Sequence, residues 1–254
     1  EYDEKLLKKT DQFPTRKYFT DFEYDKKIIG DTCKYWIKAQ EKINLNTKLN
    51  FFKTHNFLGS INNNNFTNKK NTAGAIYIVR DPRNVLTSLQ NHYELSKDEA
   101  LKFMLSEKKY IHDYHAKDDF SDFQFISSWE KNYKSWINQK IFPVKLIRYE
   151  DLTAKTFAVS KEIVEFINKI TNNKTRIDIQ KLKNAINSTS FEKLKKKEQK
   201  EGFSEAVPSQ KDKNIKISFF NLGPKNDWRK NLDKRNKDII EKNFSSEMKE
   251  LGYL

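Results

Sequence analysis

The chain has 254 residues and a formal net charge of +14, with 36% hydrophobic, 33% charged and 13% aromatic residues. That length supports one large domain or two small ones, and the aromatic share supplies core mass that excludes a disordered polyelectrolyte. A single cysteine, Cys33, excludes an intrachain disulfide and a zinc site built on thiolates, and no apolar run approaches the about 20 residues of a membrane-spanning helix.

The isoelectric point near 9.5 fits an anionic ligand, a nucleic acid or an acidic surface. Many of the lysines sit in Lys/Asn-rich stretches that read equally as solvated faces. One cysteine and no visible signal peptide make a reducing compartment, the cytoplasm, the expected location.

Residues 1–45 are polar with scattered aromatics, Tyr18, Phe19, Phe22 and Tyr24. From Asp31, the spacing of Tyr35, Trp36, Ile37, Ala39 and Ile43 predicts a helix, with Asp31 or Thr32 as its cap. Leu49 to His55 reads as a short strand, on which Lys53 and His55, two apart, face the same side. A neutral imidazole there accepts a proton and an ammonium offsets developing negative charge; the plainer alternative is that His55 hydrogen-bonds a loop. Residues 59–74 are Asn-rich and read as a loop.

Ile76 to Val79 is a β-branched and aromatic run, a buried strand. It stops at Arg80; Asp81 suits an N-cap and Pro82 the first helical position, and Val85, Leu86 and Leu89 recur at helical spacing. Arg80 therefore stands at the carboxyl end of a strand beside a helix N-terminus, equipped to hold an anion or, more simply, to pair with Asp81. Further helices are predicted over Asp98–Leu105, Phe125–Trp136, Ser160–Ile170, Lys181–Ile186 and about Asp233–Leu251, the last stopped by Gly252. Val144 to Tyr149 is a third strand, residues 193–200 a basic run, 202–218 a mobile polar loop, and 219–232 a loop with a Gly-Pro bend. His112 and His115 lack acidic or thiol partners at ligand spacing, so no metal site is expected. Strands followed by helices favour an α/β fold with a mainly parallel sheet, without internal repeat or domain boundary.

Together these residues resemble a family. Val79-Arg-Asp-Pro-Arg-Asn-Val-Leu-Thr-Ser88 resembles the 3′-phosphate-binding segment of sulfotransferases that use 3′-phosphoadenosine 5′-phosphosulfate, in which an Arg ends a strand and a Ser follows eight positions on. Lys53-Thr-His55, Ser127-Ser-Trp129 with Ser135-Trp136, Tyr149-Glu-Asp151, Thr189-Ser-Phe191 and Asn226-Asp-Trp-Arg229 resemble further family segments, in family order over 49–254. The resemblance implies a three-layer α/β sulfotransferase fold of P-loop nucleotide-hydrolase type, with a mainly parallel central sheet flanked by helices, over a single domain, 1–254. It implies sulfuryl transfer to a hydroxyl or amine of a small-molecule or glycan acceptor, leaving adenosine 3′,5′-bisphosphate and calling on no metal. His55 would be the general base and Lys53 the group that stabilises the sulfuryl in transit. Arg80 and Ser88 would hold the 3′-phosphate, and Tyr149, Thr189 and Phe191 would line the adenine pocket.

Two departures stand beside it. The family's Pro-Lys-Ser-Gly-Thr-Thr-Trp-type loop, which binds the 5′-phosphosulfate, has no counterpart before Lys53, so the domain is expected to begin upstream of Glu1. The family's Arg-Lys-Gly falls on Asn221-Leu222-Gly223, leaving the Gly223 backbone and, as substitutes in charge, Lys225 or Arg229. The loops 59–74 and 202–218 are expected to border the acceptor. The competing class is a non-catalytic basic module that docks a polyanion through residues 193–200; no recognised nucleic-acid motif accompanies that run.

Overall fold

A computed structural model describes residues 10–46, 49–113, 116–203, 205–209, 212 and 214–254. In chain order these form β1 (Asp11–Gln12), α1 (Trp36–Asn44), β2 (Phe52–Lys53), β3 (Ser60–Ile61), β4 (Asn64–Asn65), β5 (Ala75–Val79), α2 (Pro82–Tyr93) and α3 (Lys97–Leu105). There follow β6 (Tyr110–Ile111), β7 (Gln124–Phe125), α4 (Trp129–Ile137), β8 (Val144–Arg148), α5 (Tyr149–Ala154), α6 (Thr156–Ile170) and α7 (Ile179–Ser188). The chain closes with α8 (Phe191–Glu201), α9 (Trp228–Asn231), α10 (Lys234–Asn243) and α11 (Ser245–Glu250). The class is α/β, as expected. Among the described residues the strands pair as β1–β2, parallel, β3–β4 and β6–β7, both antiparallel, and β5–β8. No helix among them is long and apolar enough to cross a membrane.

Two compact units divide the chain. The first comprises essentially 3–75 and 106–144, the second 76–105 and 145–254.

The first unit is organised by aromatic side chains. Phe66 meets Phe13, Trp36 and Trp136 at ring separations of 5.9, 5.3 and 6.3 Å, and all four are buried. Aromatics of this size supply the apolar area that short strands lack. The Asn-rich segment expected as a loop contains a hairpin instead. Asn62 and Asn63 take φ of 49° and 62°, the left-handed pair that a two-residue hairpin turn requires and that Asn tolerates. The helix expected from Phe125 begins at Trp129. Ser127 at φ 64° interrupts it, and the Ser128 hydroxyl accepts from Lys131 N at 3.2 Å as N-cap. His115 of the histidine pair lies outside the described residues.

The second unit packs α2, α3, α10 and α11 around Leu86, Leu101, Met104, Ile240, Phe244 and Met248, all buried. The single helix expected over 233–251 is divided at Phe244, whose φ of −111° lets it close α10 and open α11 while its ring stays in the core. Asp81 caps α2 and Pro82 follows it, as predicted. Arg83 clasps this corner. Its side chain is 6% exposed and donates to both Asp81 carboxylate oxygens, to Glu241 Oε1 at 2.6 Å and to the Tyr253 carbonyl at 2.8 Å, with its guanidinium 4.0 Å from the Trp228 ring centre. Desolvation lowers the Arg83 pKa, but hydrogen bonding and attraction from Asp81, then Glu241, outweigh it and hold the guanidinium charged.

The basic run of 193–200 is helical, within α8, and two of its side chains grip the following segment. The buried Glu198 accepts from Phe219 N at 2.6 Å, Phe220 N at 3.0 Å and Ser218 Oγ at 2.8 Å. Lys195 Nζ donates to the Asn221 carbonyl at 2.8 Å. Residues 202–218, expected as a loop, carry an antiparallel bridge between Pro208 and Lys216.

Candidate functional site

In the second unit, four of the predicted residues converge. Arg80 leaves β5, Ser88 stands on α2, Tyr149 opens α5 where the strand was expected to run one residue further, and Gly223 begins a 3-10 turn. Arg80 NH1 donates to Ser88 Oγ at 3.4 Å and NH2 to the Gly223 carbonyl at 2.8 Å. The guanidinium lies 4.3 Å from the centre of the Tyr149 ring, a cation–π distance. Arg80 Nε is shut off from solvent and has no hydrogen-bond partner among the described groups. The plain alternative, an Arg80–Asp81 ion pair, is not what forms: Asp81 pairs with Arg83. Burial raises the Tyr149 phenol pKa, with Arg80 opposing and Glu150 adding, so the ring presents an un-ionised, largely apolar face.

Phe191 joins this group through Gly223. A Cβ on Gly223 would lie inside van der Waals contact with the Phe191 ring, and the backbone there has φ +51°, so glycine is what lets ring and turn meet. Thr189 does not join as a free donor. It closes α7, and its hydroxyl donates to the Ala185 carbonyl at 2.7 Å. Lys225 and Arg229, the expected substitutes in charge, are exposed and pair locally with Glu192 at 3.5 Å and Asp227 at 3.6 Å.

Lys53 and His55 belong to the first unit. The Lys53 carbonyl accepts from Phe13 N at 3.0 Å as β2 runs parallel to β1. Because β2 ends at Lys53, strand alternation does not fix the side on which His55 stands, contrary to the sequence expectation. His55 is exposed, and its backbone is held at both ends: N–H donates to Gln124 Oε1 at 3.0 Å, and the carbonyl accepts from Asn132 Nδ2 at 3.2 Å. Its neighbour Asn56 is 1% exposed and its carbonyl accepts from Trp136 Nε1 at 2.9 Å. The tryptophan helix α4 is thus both core and clamp.

Sequence reasoning missed Gln124 and Asn132, and it missed a polar group around Asn226. Asn226 Nδ2 donates to the Asn84 carbonyl at 3.1 Å and to Ser88 Oγ at 3.3 Å, its Oδ1 faces Thr87 Oγ1 at 2.9 Å, and its backbone N donates to the Gly223 carbonyl at 3.2 Å. Among the described residues no group of three His, Cys, Asp or Glu is arranged to hold a metal ion.

An arginine with an unspent buried N–H, a serine hydroxyl and two aromatic rings form an arrangement suited to a phosphate carried on an aromatic base. A family model described as "Sulfotransferase domain" matches residues 7–252. No curated protein matches the chain. Among solved structures, mouse sulfotransferase SULT7A1 complexed with PAP aligns with a TM-score of 0.41 and 20% identity. The alignment covers 68% of this chain and 57% of that one, so the chain spans little more than half the length of that protein. The family match runs over nearly the whole sequence, and by it the chain belongs to the sulfotransferase domain family.

Proposed function

We propose that residues 1–254 act as a single cytoplasmic sulfotransferase domain. It transfers a sulfuryl group from 3′-phosphoadenosine 5′-phosphosulfate to a hydroxyl or amine of a small-molecule or glycan acceptor, with adenosine 3′,5′-bisphosphate as the product. The observation that carries this is the gathering of Arg80, Ser88, Tyr149 and Gly223 in a member of the family.

The residues present fit the donor. Arg80, with Nε and further N–H groups unspent, supplies charge-assisted hydrogen bonds to the 3′-phosphate, and Ser88 adds a neutral one. Tyr149 and Phe191 offer apolar faces to the adenine. When bound, the donor supplies an activated sulfuryl group. The chain contributes position and proton transfer: the His55 imidazole takes the proton of the acceptor's O–H or N–H, and the Lys53 ammonium offsets negative charge on the group in transit. The hydrogen bonds on both sides of the His55 backbone keep its position from drifting. The reaction calls on no metal.

The test is a thermal titration with adenosine 3′,5′-bisphosphate. At a hundredfold excess over Kd, binding to the native state adds about 2.7 kcal/mol, or roughly 5–10 °C in Tm for a chain of this size. No shift at millimolar nucleotide overturns the donor assignment. His55→Ala is expected to abolish turnover while keeping the nucleotide shift; turnover that survives removes His55 as the base.

A further inference from the structure

We infer that Asn226 is a positioning residue that makes Ser88 an obligate hydrogen-bond donor toward the 3′-phosphate. The inference rests on the donor-binding role proposed for Arg80 and Ser88. It starts from a closed hydrogen-bond circuit within the second unit. Arg80 NH1 and Asn226 Nδ2 both donate to Ser88 Oγ, at 3.4 and 3.3 Å, and Arg80 NH2 and Asn226 N both donate to the Gly223 carbonyl, at 2.8 and 3.2 Å.

The direction of these bonds follows from chemistry. A backbone carbonyl only accepts, so the Asn226 side-chain atom 3.1 Å from the Asn84 carbonyl is the amide nitrogen, and the same nitrogen faces Ser88. A serine hydroxyl has one hydrogen to give and two lone pairs to receive. Both lone pairs of Ser88 are occupied. The usual outlet for a helical serine's hydrogen, the carbonyl four residues back, is that of Asn84, and it is taken by the helical N–H of Ser88 itself and by Asn226 Nδ2 at 3.1 Å, while the Thr87 hydroxyl gives its one hydrogen to Asn226 Oδ1 at 2.9 Å. The hydrogen is therefore uncommitted, and Ser88 can meet an incoming group only by donating to it. A phosphate oxygen accepts; a ligand N–H would find no lone pair. Asn226 is 7% exposed, so water competes poorly for its amide. Being neutral, the amide orients Ser88 without adding negative charge beside the anion.

The experiment measures Kd by calorimetry for adenosine 3′,5′-bisphosphate and for adenosine 5′-monophosphate, which lacks the 3′-phosphate. The proteins are the wild-type chain, Asn226→Ala, Ser88→Ala and the double variant. Loss of one orienting hydrogen bond is expected to raise the bisphosphate Kd about three- to tenfold. The monophosphate Kd should stay unchanged, and Asn226→Ala should add nothing in the Ser88→Ala background. Asn226→Asp, nearly isosteric and still an acceptor for Thr87, can donate neither to Ser88 nor to the Asn84 carbonyl, so it should lose bisphosphate affinity at least as strongly and also melt below wild type. Equal losses for both nucleotides, an unchanged bisphosphate Kd, or an undiminished loss in the Ser88→Ala background would each overturn the role of Asn226 alone. A wild-type chain that binds no bisphosphate removes the donor assignment and, with it, this role.

Discussion

Arg83→Met tests whether the corner that carries Arg80 and Asp81 is held by charge. The substitution keeps an unbranched stem for packing against Trp228 but deletes the guanidinium. Lost with it are the paired bonds to Asp81, at 2.9 Å from Nε and 2.7 Å from NH2, and those to Glu241 and the Tyr253 carbonyl. Asp81 is 7% exposed at the side chain and is left without its cation, with little water to solvate it, whereas Glu241, 21% exposed, keeps Lys237 Nζ at 3.4 Å. Breaking a buried pair from one side costs about 3–5 kcal/mol. At roughly 2–4 °C per kcal/mol for a chain of this length, Tm should fall by roughly 6–20 °C. Urea unfolding followed by tryptophan fluorescence reads the loss directly, and an unchanged slope would place it in stability rather than in the denatured state. Asp81→Asn serves as the second arm. Asparagine still caps α2 by accepting from Arg83 N, so in the Arg83→Met background it should restore part of the loss by removing an orphaned charge. A loss below about 1 kcal/mol, or strictly additive single changes, would refute the clasp as an electrostatic device.

Two further outcomes are expected. Gly223→Ala forces a side chain into the left-handed region, at about 1–2 kcal/mol, and into the Phe191 ring, so calorimetry should show bisphosphate affinity reduced by about tenfold or more; unaltered affinity would separate this turn from the nucleotide site. Asp233 caps α10, and hydrogen bonds from the Asn236 backbone and side chain hold its carboxyl well below the ordinary carboxylate range. A depressed pKa stabilises the folded chain above the unfolded value, about 4, and that contribution fades as pH falls toward the folded value. Asp233→Ala should therefore cost about 1 kcal/mol at pH 7, with the gap from wild type narrowing below about pH 4; a constant gap from pH 7 to pH 2 in acid-dependent melts would contradict the cap assignment.

The legible parts of the molecule are those whose chemistry is local. Asp81 and Pro82 announce the start of α2 because capping and a fixed φ act within two residues. Arg80 and Ser88 were readable for the same reason, being joined by one strand end and one helix. The hairpin at 60–65 was hidden because Asn marks loops and left-handed hairpin turns alike. The common face expected of Lys53 and His55 does not follow from strand alternation, since β2 ends at Lys53. Least legible was Asn226, whose bonds to Ser88 and Thr87 cross 138 and 139 positions and leave no period in the sequence. Gln124, which reaches His55 across 69 positions, was silent in the same way.

The grip of α8 on the segment after it has a consequence for engineering. Glu198 and Lys195 hold 219–221 by main-chain atoms and 218 by its serine hydroxyl, so these bonds ask only for a hydroxyl at 218 and for an N–H or a carbonyl at 219–221. The segment can thus be moved to another scaffold as one cassette with α8, provided the Phe219 and Phe220 rings keep their packing against Phe203 and Phe191. A graft that carries 202–223 but drops Glu198 would leave two amide hydrogens bare and lose the approach to Gly223.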